Sequence, residues 1–276
     1  MCQIVIMPTD VAKTPLLDPS DIAFTLDPRR PILTDGRVIE TGHSVRAHSH
    51  PRGQLLWAMR GVLRVTIDSG IWLVPPSHTV WIPGGLEHQI TVESRAELLN
   101  IYVDPSIRVR PDSQPRPGCA VLLLSPLARE MIRRLGESDT SAPFDDRLLR
   151  FCRVLLDELE TLSEAPLNLP GGRDERLCRV TRHLLSQPDT SSQLAELGQI
   201  AGASPRTLER LFKAETGLTF RQWRSKLRLL SAIEALNRGE SSTAIAYSLG
   251  YSSPSAFIAA FREAFGTTPQ RFLHDR

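Results

Sequence analysis

No apolar run in this 276-residue chain approaches the roughly 20 residues needed to cross a bilayer as a helix, so no membrane role is expected. The opening Met1-Cys2-Gln3-Ile4-Val5-Ile6-Met7-Pro8 lacks a basic leader and is too short for a secretory apolar segment, so no export signal is expected. Cys2, Cys119, Cys152 and Cys178 are scattered without a Cys-x-x-Cys pair, which favours reduced thiols in a cytoplasmic protein. Lysine is nearly missing: Lys13, Lys213 and Lys226 stand against 30 arginines, so a single arginine says little by itself. Gly-x-Ser-x-Gly, the P-loop and the dinucleotide fingerprint are all absent, and with them the commonest sequence signs of hydrolase, nucleotide and dehydrogenase chemistry.

What remains is a chain long and apolar enough, at 41% hydrophobic residues, for two ordinary cores. The net charge of +2 is unevenly spread: residues 174–276 carry 14 Lys and Arg against 10 Asp and Glu, residues 1–173 carry 19 against 21. The cationic third is the one suited to face phosphates.

Short strands and turns occupy residues 30–103. Leu63, Val65 and Ile67 alternate with polar residues, Asp68-Ser69-Gly70 turns the chain, and Ile71 to Val74 returns it as a hairpin. Further runs at 79–83, 88–92 and 97–103 make an all-β sandwich or barrel the expected fold of residues 1–110. After Pro111, Pro115 and Pro117 the pattern turns helical. In 111–164, Leu148, Leu149, Cys152, Leu155, Leu156 and Leu159 recur at three- and four-residue steps, a stripe that either packs on the β domain or forms a dimer contact. Ala165 to Gly172, rich in Pro and Gly, reads as a linker with no regular element.

Residues 173–276 are predicted to be all-helical, and they contain one segment twice. Gly202-Ala203-Ser204-Pro205 with Leu208, Phe212 and Gly217 returns as Gly250-Tyr251-Ser252-Ser253-Pro254 with Phe257, Phe261 and Gly266. In each copy a glycine permits the turn, a serine caps the next helix, and proline takes the first position, where a missing N–H costs nothing. That is a helix-turn-helix, written twice. Between the copies Thr219 and Gln222 form a capping box, Trp223, Leu227 and Leu230 an apolar stripe, and Gly239 the stop. About twenty helical residues span about 30 Å, close to the ~34 Å between successive major-groove turns on one face of DNA.

The pattern Ser204-x3-Leu208-x-Arg210-x-Phe212-x4-Gly217, with Gly250-Tyr251-x5-Phe257-x3-Phe261-x4-Gly266-x-Thr268-Pro269, resembles the DNA-binding domain of AraC/XylS-type bacterial transcription regulators. The resemblance implies two recognition helices in adjacent major grooves. It places base contacts on Arg206, Glu209 and Arg210 in the first unit and on Ser255, Ala256 and Ala259 in the second. Ser204, Thr207 and Lys213, and Ser253 and Arg262, join the expected DNA-binding set. Ala259 departs from the family, where arginine is common; the first helix is therefore expected to carry most of the direct readout, with Ser253, Ser255 and Arg262 holding phosphates. Gly198 departs too, standing where alanine is usual, and is expected to weaken its helix slightly.

Gly42-x5-His48-x-His50-x3-Gln54-x6-Gly61 and Pro83-x-Gly85-x2-His88 resemble the two motifs of the cupin barrel. In metal-binding cupins the positions of His48, His50, Gln54 and His88 enclose an ion, with Glu in place of Gln54. Two readings follow: a divalent transition metal such as Zn, Fe, Ni or Cu, or an effector pocket without metal, no cofactor being required. The stretch from His48 to Leu56 with Pro75-Pro76 and Val80 to Pro83 resembles a subgroup of these regulators, some of which control neighbouring efflux transporters. The expected protein is thus not an enzyme but a bacterial activator or repressor. Its expected partners are promoter DNA, a small-molecule effector, a second copy of itself and, if it activates, RNA polymerase; its expected target is a transporter or catabolic gene. The rival is a metal-dependent cupin enzyme with an appended DNA-binding domain.

Overall fold

The computed structural model describes residues 15–92, 95–107, 109, 118–140, 143–188 and 192–274; Cys2, the stretch from Met1 to Pro8, and Pro111, Pro115 and Pro117 lie outside them. The chain forms two compact units. One holds Leu16–Arg64 and Val74–Ala165, and the other includes Val65–Leu73 and Pro166–Arg276.

The strands are β1 (Leu16–Leu17), β2 (Ile32–Ile39), β3 (Ser44–His48), β4 (Gly53–Arg60), β5 (Leu63–Ile67) and β6 (Gly70–Val74). They continue with β7 (His78–Ile82), β8 (His88–Val92), β9 (Ala96–Val103) and β10 (Ala120–Leu123). In the first unit β10-β7-β4-β9-β2 form an antiparallel sheet, while β1, β3 and β8 are neighbours in a second. Alternation sorts the side chains. Leu55 and Trp57 of β4 and Leu99, Ile101 and Val103 of β9 join one core with helices α1 (Pro126–Gly136) and α2 (Asp146–Thr161). Gln54, Asn100 and Tyr102, between them in sequence, point to the opposite face. The helices start where their caps put them: Ser125 accepts from the Ala128 amide ahead of Pro126, and Asp145 accepts from the Leu148 amide at 2.7 Å.

One expectation needs revision here, and of the two readings of the leucine stripe the structure favours packing. The segment 111–164 is not purely helical, because Ala120–Leu123 pairs with β7 along the edge of the five-stranded sheet. The leucine stripe of α2 is mostly spent on packing: Cys152, Leu155 and Leu159 are buried, and Leu148, Phe151 and Leu156 pack against the same core. Val154, 54% exposed, is the large apolar residue that α2 leaves to solvent.

In the second unit β5 and β6 form the expected hairpin, and β11 (Asn168–Pro170) lies antiparallel beside β6, with Asn168 opposite Trp72, Leu169 opposite Ile71 and Pro170 opposite Gly70. The stretch expected to lack regular structure is thus strand-paired at its centre. Seven helices follow: α3 (Glu175–Ser186), α4 (Leu194–Ala201), α5 (Pro205–Leu211), α6 (Phe220–Asn237), α7 (Ser242–Ser248), α8 (Pro254–Phe265) and α9 (Pro269–His274). A π-helical turn, Phe212–Thr216, extends α5. Strand β11 docks on α6. The Trp223 indole donates to the Pro170 carbonyl at 2.8 Å, and Lys226 Nζ donates to Asn168 Oδ1 at 3.0 Å. Gly198 also proves to be more than a weak helix residue: a Cβ there would sit 2.6 Å from the Ala203 carbonyl oxygen, where the chain folds back to donate Ala203 N to Gly198 O.

Candidate DNA-reading helices and a histidine cluster

The two helix-turn-helix units superpose in sequence at an offset of 49, from Ser204 to Ser253, Leu208 to Phe257 and Phe212 to Phe261. The caps repeat as well. Ser204 accepts from the Thr207 amide and Ser253 from the Ala256 amide, both at 3.2 Å, and the closing Gly217 and Gly266 share φ = +74°. Leu208, Phe212, Phe257 and Phe261 are fully buried, which fixes the opposite faces of α5 and α8 outward. The connecting α6 has the anticipated capping box, in which Thr219 accepts from the Gln222 amide and Gln222 from the Thr219 amide.

Not every residue expected on DNA keeps its side chain uncommitted. Ser204 and Thr207 are tied to each other at the cap, Lys213 donates to the Gly217 carbonyl at 3.0 Å, and Glu209 accepts from the first amide of α6 at 3.5 Å. Arg206 and Arg210 are exposed and make no side-chain hydrogen bond or ion pair among the described residues. They can reach outward as bidentate donors. In the second unit Ser253 is the cap, Ala256 is half-buried, and Ser255, Ala259 and Arg262 are exposed. The sequence reading passed over Ile258, which lies on the same face and is 37% exposed. The 49-residue offset could have found it, since it places Ile258 at the position of Glu209.

In the first unit His48, at the end of β3, pairs across the ladder with His88, at the start of β8, and His50 stands two residues beyond. A ligand atom from each lies within 4.8 Å of the other two. Their orientations have a common cause. His48 Nδ1 faces the Arg46 carbonyl at 2.7 Å, His50 Nδ1 the Arg52 carbonyl at 2.7 Å, and His88 Nδ1 the Leu86 carbonyl at 2.8 Å. A carbonyl only accepts, so each Nδ1 carries a proton, and in the neutral form of these rings Nε2 is the nitrogen with a free lone pair. Burial holds the His48 pKa below its ordinary value against the Arg46 hydrogen bond, with His50 also lowering it. Burial pushes His88 down to about 3 against its Leu86 hydrogen bond, with His48 and His50 adding to the fall. His88 Nε2 is buried and meets no hydrogen-bond partner among the described residues.

Gln54 completes the group. Asn100 Nδ2 faces the Asp35 carbonyl at 3.4 Å, and Gln54 Nε2 donates to Asn100 Oδ1 at 2.7 Å. The chain of donors turns Gln54 Oε1 toward His50 Nε2, with which it shares a hydrogen bond of 3.1 Å. The adjoining cavity, lined in part by His48, Gln54, Asn100 and Tyr102, has a volume of about 20 Å³. That is room for a water or an ion, far below the ~300 Å³ at which ordinary ligand pockets begin.

Residues 36–151 match the model of the AraC-like ligand binding domain, and residues 197–275 match that of a helix-turn-helix domain. The HTH-type transcriptional regulator NimR of Escherichia coli is 35% identical over 82% of this chain and 81% of its own length. The HTH-type transcriptional regulator RipA of Corynebacterium glutamicum is 28% identical over 79% of this chain and 61% of its own. A solved structure of ToxT from Vibrio cholerae is similar at 12% identity and a TM-score of 0.37, covering 89% of this chain and 98% of that one. Both of these relatives are named as regulators and give the enzyme alternative no support. The chain belongs to the AraC family of transcriptional regulators, with an AraC-like ligand-binding domain ahead of two DNA-binding helix-turn-helix units.

Proposed function

We propose that this regulator reads promoter DNA with α5 and α8 in successive major grooves, and that Arg206 and Arg210 make the principal base contacts. The supporting observation is that these two arginines alone, of the six residues expected on DNA in the first unit, are charged, exposed and uncommitted. Each bidentate arginine to guanine is worth ~1–3 kcal/mol of discrimination. Selection from a random duplex library is expected to return a different consensus for Arg210→Ala than for the natural chain; an unchanged consensus would refute the assignment.

A second reading concerns what the ligand-binding domain holds. Its support is the set of three pinned imidazoles with Gln54. The donor chemistry fits a divalent transition ion: three neutral nitrogens and an amide oxygen, each oriented by a further hydrogen bond. His48, His50, His88 and Gln54 would hold the ion, which would supply the positive charge that their lone pairs face. Gln54 in place of a carboxylate leaves the ion's charge unneutralised, which favours binding of an anionic effector beside it. Elemental analysis of untagged protein is expected to find one Zn, Fe, Ni or Cu per chain, lost in His88→Ala; metal below a tenth of an equivalent in the natural chain, after loading with each ion in turn, would sink the reading.

The partners beyond DNA and an effector follow the same logic. A second copy would cover Val154 on α2, and sedimentation velocity showing only monomer at tens of micromolar would count against it. RNA polymerase is the partner where the bound site lies positioned to activate, and a transporter or catabolic gene beside this one is the target to examine first. Among the described residues no helix is long and apolar enough to cross a membrane. A promoter reader works beside the chromosome, in the bacterial cytoplasm.

A further inference from the structure

We infer that Ile258 is a specificity-determining residue, and that α8 reads its half of the operator through the C5-methyl groups of thymine. This rests on the reading that α8 enters a major groove. On α8 the outward face is built from Ser255, Ile258, Ala259 and Arg262, at the spacing i, i+3, i+4 and i+7, while Phe257 and Phe261 are fully buried on the other side. An isolated isoleucine at 37% exposure would be ordinary on a protein surface. Its position is what matters. The 49-residue offset puts Ile258 where Glu209 stands and Ala259 where Arg210 stands, at the centre of the recognition face. Where the first unit has a hydrogen-bonding pair, the second has two side chains that can form no hydrogen bond at all.

These side chains, with Thr268 and Glu263, line a shallow groove of about 640 Å³, open at the protein surface. Among the base edges of the major groove, the thymine C5-methyl is the apolar group, so an isoleucine and an alanine side by side have one kind of base feature to match. Burying the Ile258 side chain against methyls is favourable, whereas pressing it against guanine O6 or cytosine N4 would strip those groups of water without replacing a hydrogen bond. Arg262, exposed one turn further on, has no side-chain partner among the described residues and suits a phosphate flanking the apolar pair. The two units therefore differ in kind: α5 reads by hydrogen bonds, α8 by methyl contact.

Replacing thymine by deoxyuridine removes the methyl and leaves pairing intact, which gives a test on the unaltered protein. A duplex selected by the full-length chain from a random library would be compared with copies in which thymines are replaced half-site by half-site. We expect binding about five-fold weaker when the α8 half-site carries deoxyuridine. Ile258→Ala should discriminate less between thymine and deoxyuridine duplexes than the natural chain does. Ile258→Glu should select cytosine at one position of that half-site, because a carboxylate accepts from cytosine N4. Equal affinity of the natural chain for both duplexes would overturn the proposal while leaving the α8 placement standing. An α8 half-site with no enriched thymine would overturn it too. Failure to enrich any second half-site would overturn both the proposal and the placement on which it rests.

Discussion

His78 is buried on β7, with Ser77 Oγ 2.9 Å from its Nδ1, and burial followed by the charge of Arg129 pushes its pKa down from 6.5 to about 4. The unfolded chain takes up a proton there below about 6.5, the folded chain only near 4, so lowering the pH through that window favours unfolding. The cost is on the order of 3 kcal/mol by the time both states are protonated. In His78→Gln this part of the acid sensitivity should vanish, and urea melts at about pH 7 and about pH 4.5 would show it. Parallel losses of stability in the two proteins would rule it out. Among single residues, legibility depended on how strongly chemistry restricts them. Arg206 and Arg210 were expected on the outward face of α5, and both are exposed there. Ile258 was not expected on that of α8, since an apolar residue beside Phe257 is assigned to the core unless its face is known. Gly198 was misread because helix propensity describes an isolated helix, whereas its constraint comes from Ala203 in the turn beyond.

Elements bounded by caps were legible almost to the residue. Helices α5, α6 and α8 begin where Ser204-Pro205, Thr219 and Ser253-Pro254 place them, and α4 and α8 close on Gly202 and Gly266, because those signals are local and each satisfies a named backbone group. Strands β10 and β11 were not. Ala120–Leu123 is too short and too uniformly apolar for alternation to show, and Asn168–Pro170 becomes a strand only because β6 offers an edge and α6 a platform. Trp223 is central to that platform, 1% exposed, with its indole 2.8 Å from the Pro170 carbonyl and its ring 5.6 Å from Phe212. Trp223→Phe keeps an aromatic ring but removes the donor. The carbonyl of Pro170 is then left without its indole partner, at about 1–3 kcal/mol, and the lost ring volume adds to this. Denaturant melts of the full-length protein, followed by the fluorescence of its tryptophans and by helical signal, should show a loss in that range; a change below about 0.5 kcal/mol would mean that β11 is held by its ladder alone.

For the molecule as a whole, the recognisable repeat at the C-terminus and the histidine pattern near the N-terminus were enough to assign both architecture and family. They could not reveal that the unit carrying the DNA-reading helices also takes in Val65–Leu73, since pairing between segments distant in sequence leaves no local pattern. DNA occupancy should respond to ligand only insofar as the ligand prefers one arrangement of the chain over another. The metal reading makes that concrete: a chelator that strips the ion should change operator affinity, and His88→Ala should no longer respond to the chelator. On the proposed reading, in which Arg262 faces a phosphate, salt should weaken binding to any operator by restoring the displaced counterions.

The ladder between β6 and β11 also bears on how the chain is made. The hairpin leaves the ribosome about a hundred residues before Asn168–Pro170 is synthesised, and until then the edge of β6 has no such neighbour. Cutting the chain at the Pro-Gly segment would therefore separate β5 and β6 from the helices with which they are grouped. The first strands of the C-terminal unit are translated early, and β6 has no β11 beside it until Val74–Ala165 of the other unit has been made.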